Sequence, residues 1–206
     1  MKQEVDLEQR ILEVAEKLFM EKGFAATKTT EIAAKAGCNH ALIHYYFQTK
    51  ENLFEKVFVN KFTVGMNQLK VELDDVTDIE QLTRKIIDRH LELVVKNQHL
   101  PLFLLSELNA NPRRIELLRR VVADHPVFGD FFLQLQAILQ MEHERGTIRE
   151  IDAFNYMLNI VSLSVMSVVM LPIYAKATGI DRKAQREVID MRREEITHLV
   201  LRGIMK

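Results

Sequence analysis

Cysteine is nearly missing from this chain of 206 residues: Cys38 stands alone, so no disulfide can form within it. A reducing compartment fits such a chain best. Its start, MKQEVDLEQRILEVAEKLF, is charged and amphipathic and lacks the apolar core of a secretion signal. A cytoplasmic location is therefore expected. Neither sign of charge dominates. The formal net charge of −1 argues against coating nucleic acid through bulk charge, yet leaves room for a local basic face. The chain has no glycine-rich phosphate loop, no Cys–His or Ser–His pair in a recognisable setting, and no clustered metal ligands. Neither an enzyme nor a cofactor or metal site is expected. Strand-type alternation of useful length is absent too, as are internal repeats and low-complexity tracts.

What is present is apolar and helical. Hydrophobic residues make up 48% and charged residues 28%, enough for a real core in one large domain or a small domain joined to a larger one. The stretch AFNYMLNIVSLSVMSVVMLPIYA, 153–175, carries no charge and has the length of a membrane span, roughly 20 residues. Asn155, Asn159 and Ser162 form one polar stripe on it, Pro172 interrupts it, and nothing else resembles a membrane protein. A helix buried against its own subunit and against a partner accounts for the same pattern. No membrane association is expected.

Helical spacing recurs along the chain. Leu7, Ile11, Val14, Ala15, Leu18 and Phe19 predict a first helix stopped by Gly23. Short helices follow over 29–36 and 40–47, the latter capped by Asn39. A fourth starts near Lys50. Thr77 with Glu80 reads as a capping box opening a fifth helix, and Pro101 suits the first position of a sixth. Later helices are expected over about 113–124, 127–145, 152–177 and 182–204. The fold class is all-α, with about nine to ten helices.

Residues 29–47 have the layout of a helix-turn-helix. Gly37 can end the first helix in the left-handed conformation, and Ala33 and Ala36 are small where two helices cross. Ile32, Cys38, Ile43 and Phe47 would close a three-helix core against Leu18 and Phe19. His40, His44, Tyr45 and Tyr46 must then face outward. Exposed polar aromatics on a short helix make sense if that helix enters a DNA groove. Between Lys22 and Lys50 the charges are Lys22, Lys28, Lys35 and Lys50 against Glu31 alone. So few phosphate contacts imply weak binding by one copy, and hence a dimer on two half-sites.

The segment GFAATKTTEIAAKAGCNHALIHYYFQTKENLFEKVF, 23–58, resembles the N-terminal domain of the tetracycline-repressor (TetR) family of bacterial transcriptional regulators. The resemblance rests on spacing: the glycine-aromatic after helix one, the Ile-Ala of helix two, the Ala-Gly turn, the aromatic run to Phe47, and Lys-Glu-x-Leu opening helix four. It implies a helix-turn-helix domain over 1–50 and a larger helical bundle over 51–206 for ligand binding and dimerisation. It also implies that Thr29 and Thr30 approach the DNA backbone, with Asn39, His40 and Ala41 near base edges. His44, Tyr45 and Tyr46 would add base and phosphate contacts, and Lys50 would reach a phosphate. The partner would be a pseudo-palindromic duplex operator. Two departures stand out. His40 replaces the frequent lysine or arginine and His44 the usual tyrosine, so base preference does not carry over. Lys28 replaces the usual Ser or Thr cap, leaving Thr27 or Thr29 to cap instead.

Other residues admit plainer readings. His40 and His44 have metal-ligand spacing, but no Cys, Asp or Glu sits nearby in sequence on that face to complete a site. Cys38 reads as a small buried apolar residue rather than a redox switch. Arg113, Arg114, Arg119 and Arg120 read as a solvated face, with a second phosphate patch as the sharper alternative. Glu107, if buried, needs a partner.

The last two helices are the expected homodimer interface. The resemblance further implies a cavity for an unidentified small-molecule effector in the C-terminal bundle. Phe103, Leu104, Glu107, Phe128, Phe132, Tyr156 and Met166 are its expected lining, with His90 as a polar contact. The expected function is a homodimeric regulator, a repressor released when a small, largely apolar molecule binds. The competing readings are a regulator without such a ligand, or a helical-bundle enzyme or membrane-surface protein retaining the fold.

Overall fold

The computed structural model describes residues 2–68, 78–123 and 126–206, and the described residues form ten helices and no strand. They are α1 (Lys2–Ala26), α2 (Thr29–Ala36), α3 (His40–Phe47), α4 (Lys50–Gln68) and α5 (Ile79–Lys96). Then follow α6 (Leu100–Ala110), α7 (Arg113–Ala123), α8 (Pro126–Glu144), α9 (Ala153–Thr178) and α10 (Arg182–Ile204). The all-α expectation holds, and α2 and α3 occupy the expected residues.

Helix ends follow local chemistry. Gly23, at φ 77°, breaks the helical conformation inside α1, and helical geometry resumes as far as Ala26. At the fifth helix Asp78 is the cap: its carboxylate accepts from the Gln81 amide at 2.8 Å. The proposed cap Thr77 lies outside the described residues. Asp152 and Asp181 cap α9 and α10 in the same way, accepting from Asn155 and Ala184 amides at 2.8 Å each. Neither Thr27 nor Thr29 caps α2, whose N-cap Lys28 makes no side-chain cap bond. Both hydroxyls are engaged elsewhere. Thr27 is buried, and its hydroxyl lies 3.1 Å from the Leu18 carbonyl and 2.8 Å from that of Gly23. It ties the end of α1 to its own last turns.

The chain divides into two compact units. The first comprises 1–64 with 102–122, and the second 65–101 with 123–206. In the first, Ile11, Leu18, Phe19, Ile32, Ile43, Phe47, Leu53 and Phe58 are buried. Phe54 sits edge-on to Phe19 and Phe24, both at 5.2 Å between ring centres, and 5.8 Å from Phe103 of α6. Burying such rings contributes about 1.5–3 kcal/mol each. Cys38 departs from the expected core set: it is half-buried, because the turn after Gly37 leaves one side of it open.

The second unit is cored by Leu82, Ile86, Leu91, Leu135, Leu139, Tyr156, Ile160 and Ile196 from α5, α8, α9 and α10. The Tyr156 hydroxyl bonds to that of Thr83 at 2.7 Å. Burial pushes the Tyr156 phenol well above its usual pKa. α9 is long and apolar enough to cross a membrane, but only 22% of its most apolar window is buried within the chain. Met166, Met170, Ile173 and Tyr174 on α9 and Met191 and Leu199 on α10 are exposed.

Candidate nucleic-acid interface

The turn between α2 and α3 forms as its sequence dictates. Gly37 takes a left-handed conformation, φ 66° and ψ 39°, and its amide reaches the Ala34 carbonyl at 3.2 Å. The Cys38 amide donates to the Ala33 carbonyl at 3.0 Å. Asn39 then caps α3, its side-chain oxygen accepting from the Ala41 amide at 3.0 Å. With Ile43 and Phe47 buried, a rotation of about 100° per residue turns Ala41, His44 and Tyr45 outward. All three are exposed, Tyr45 by 74%.

Two of the four polar aromatics are less free than expected. His40 and Tyr46 lie on the flanks of α3 and are half-buried. His40 Nε2 lies 2.8 Å from the Thr29 hydroxyl, which joins the two helices of the motif. Tyr46 meets Tyr45 edge-on at 5.1 Å and lies 6.2 Å from Phe47. His44 sits edge-on to His40 at 4.9 Å, and its Nδ1 lies 2.9 Å from the Gln48 carbonyl. Among the described residues no cluster of three potential metal ligands occurs. Thr30 is exposed at the start of α2.

Lys50, expected near a phosphate, is half-buried at the start of α4. Its ammonium lies over the Phe24 ring, 4.2 Å from the centre, and burial lowers its pKa, with Glu51 raising it and Arg114 lowering it further. Glu31 draws Lys22 to 2.6 Å and Lys35 to 3.6 Å, so its own pKa falls, first through the Lys22 hydrogen bond. Lys28 is exposed.

Behind Lys50 lies an arrangement that sequence reasoning missed. Arg114, read as part of a solvated run, is buried with 4% of its side chain exposed, and it pairs with Glu107, buried to 8%. Its guanidinium lies against both the Phe24 ring at 4.5 Å and the Phe54 ring at 4.0 Å, which meet edge-on, and Glu51 lies 3.7 Å away. Burial lowers the Arg114 pKa and Glu51 raises it. Glu107 also accepts from the Phe24 amide at 2.7 Å. A Cβ at Gly23 would come within 3.2 Å of that carboxylate, and φ 77° disfavours one in any case. The signal was present in part: a glutamate in the apolar run LFLLSELNA needs a cation, and α7 supplies one seven residues on.

The residues expected around an effector are divided between the two units. Phe103, Leu104 and Glu107 belong to the first unit, and His90, Phe132, Tyr156 and Met166 to the second. The Phe128 side chain lies outside the described residues. Phe103 packs on Phe54, and Glu107 is taken up by Arg114. Ten residues along α9 turn Met166 away from buried Tyr156, so it is 57% exposed and lines an open groove with Met170, Tyr174, Val188 and Met191. His90 is buried, its Nδ1 has no partner, and desolvation lowers its pKa to about 4. Ser164 Oγ is likewise buried and unpaired.

A short helix, a left-handed glycine turn, and a second helix, capped by Asn39, whose outer face carries imidazole and phenol groups define a helix-turn-helix domain. Residues 11–57 match the model of bacterial regulatory proteins of the tetR family. Among curated relatives, the HTH-type transcriptional repressor NicS of Pseudomonas putida is 35% identical over 78 residues, 37% of this chain and 36% of that protein. The HTH-type transcriptional regulator QacR of Staphylococcus aureus is 40% identical over 68 residues, 33% of this chain and 36% of its own length. The chain thus matches about a third of the length of these relatives. The fold extends further. The transcriptional regulator FadR from Bacillus subtilis, solved with stearoyl-CoA, superposes with a TM-score of 0.66 at 19% identity, over 95% of this chain and 98% of that one.

Proposed function

We propose that this protein is a cytoplasmic, homodimeric, sequence-specific DNA-binding regulator of transcription, acting as a repressor. The observation that carries the reading is the outer face of α3, where Ala41, His44 and Tyr45 project from a helix whose other side is locked into the core. Asn39, His40 and Tyr46 flank that face, Thr29 and Thr30 open α2 beside it, and Lys50 opens α4. Base edges are read from the exposed face and phosphates bound from the helix starts. A single copy with so few cations binds weakly, so two copies are needed.

The second copy docks on α9 and α10. Their exposed Met166, Met170, Tyr174 and Met191 give an apolar surface of the kind obligate interfaces bury. An effector that is small and largely apolar enters the second unit. Support comes from two buried polar atoms without partners, His90 Nδ1 and Ser164 Oγ, which a ligand's polar group would satisfy. Effector binding releases the operator, and by linkage the operator weakens effector binding by the same factor.

Selection of bound duplexes from a randomised pool tests the reading. Enrichment of one inverted repeat, with half-sites about one helical turn apart, supports it. A pool that stays random after repeated rounds contradicts it.

A further inference from the structure

We propose that His44 is a base-reading residue fixed in one tautomer, its Nδ1–H held by the Gln48 carbonyl and its Nε2 lone pair presented to an exocyclic amino group, adenine N6 or cytosine N4. The proposal rests on the DNA-binding reading above and assigns the chemistry of one contact within it.

His44 and Gln48 are joined twice. The Gln48 amide donates to the His44 carbonyl at 2.9 Å, and His44 Nδ1 lies 2.9 Å from the Gln48 carbonyl. A carbonyl oxygen only accepts, so Nδ1 carries the hydrogen. In the neutral ring Nε2 is then an acceptor with no hydrogen. That nitrogen cannot donate to a phosphate, nor to the acceptors N7 and O6 of guanine. In the major groove its complements are the amino donors of adenine and cytosine.

The backbone holds this geometry. Gln48 has φ 62° and ψ −53°, the γ-turn conformation strained for a residue with a Cβ, and the Thr49 amide closes that tight turn onto the Phe47 carbonyl at 2.6 Å. The turn aims the Gln48 carbonyl back at α3, where it meets the imidazole. On the other side His40 meets the ring edge-on at 4.9 Å and 87°, itself tied to Thr29. The ring is therefore oriented before DNA arrives, which is what direct readout requires. Ala41, one turn back, leaves the space beside it open.

The test uses the full chain at pH 8. In the duplex enriched from a random pool, each adenine is replaced in turn by purine and each cytosine by pyrimidinone, which removes one amino group at a time. One position in each half-site should weaken wild-type binding by about tenfold, the loss expected for one hydrogen bond to a base. The same replacement should cost His44→Phe nothing. Long-range proton–nitrogen spectra of the free protein should show His44 with its hydrogen on Nδ1, a readout that needs no variant to fold. An Nε2–H signature, or amino deletions that penalise His44→Phe as much as wild type, would overturn the assignment while leaving the regulator intact. A pool with no enriched site would overturn both.

Discussion

Arg114 and Glu107 form an ion pair inside the first unit, with the guanidinium set against the edge-on rings of Phe24 and Phe54. Removing one partner from such a pair strands a buried charge, at a cost of about 3–5 kcal/mol. Arg114→Met should cost an amount in that range. The double variant Glu107→Gln/Arg114→Met should cost less than Arg114→Met alone, because no charge is left stranded and glutamine can still accept from the Phe24 amide. Urea unfolding of the three proteins measures this. A single-variant loss below about 1 kcal/mol, the value of an exposed pair, would contradict the buried geometry.

His90 makes stability depend on pH. Its pKa is held near 4 in the folded chain by burial, against about 6.5 when unfolded. Between those values the unfolded chain binds the proton and the folded chain does not, so stability falls as pH drops from about 6.5 toward 4 and levels off below. The loss by pH 5 should be about 2 kcal/mol. His90→Gln should flatten this part of the profile. The comparison of urea midpoints at pH 7.5 and pH 5 checks it, and a variant with the wild-type slope would place the proton elsewhere.

The α9 and α10 face should fail when charged. Met166→Glu together with Met191→Glu sets carboxylates on exposed positions that lie against the second copy if the dimer forms as proposed. Unpaired burial costs several kcal/mol, so the dimer dissociation constant should rise by about a hundredfold or more. Sedimentation velocity on wild type and variant reads the change. A variant that stays dimeric at the same concentration would move the interface off this face.

Much of the first fifty residues could be read in advance because each local signal there agreed with the tertiary result. Gly37 ended α2, Asn39 capped α3, and Ile32, Ile43 and Phe47 went inside. What escaped were features that depend on residues far apart in sequence. Glu107 and Arg114 meet the end of α1, and nothing near Arg113 and Arg114 in the chain separates a buried arginine from a solvated one. Lys50 was drawn onto Phe24 for the same reason. Gln48 carries positive φ with no glycine or asparagine to announce it. Met166 was placed by apolarity alone, which cannot tell a helix side that lines a core from one that faces a partner. The cap at α5 was misread by one residue, because Thr77 and Asp78 are both good caps and only geometry chooses between them.

The central claim is that the outer face of α3 binds duplex DNA. Fluorescence anisotropy of the full protein on duplex from upstream of its own gene, over a salt series, tests it, with Tyr45→Ala alongside. Tyr45 is the better probe than Tyr46, since its removal leaves the core untouched. The account predicts tight binding to one site, a logarithmic loss of affinity with salt from a handful of phosphate contacts, and a Tyr45→Ala variant that folds normally but loses the site. Wild-type affinity in Tyr45→Ala, or no binding to any duplex even at low salt, would contradict it.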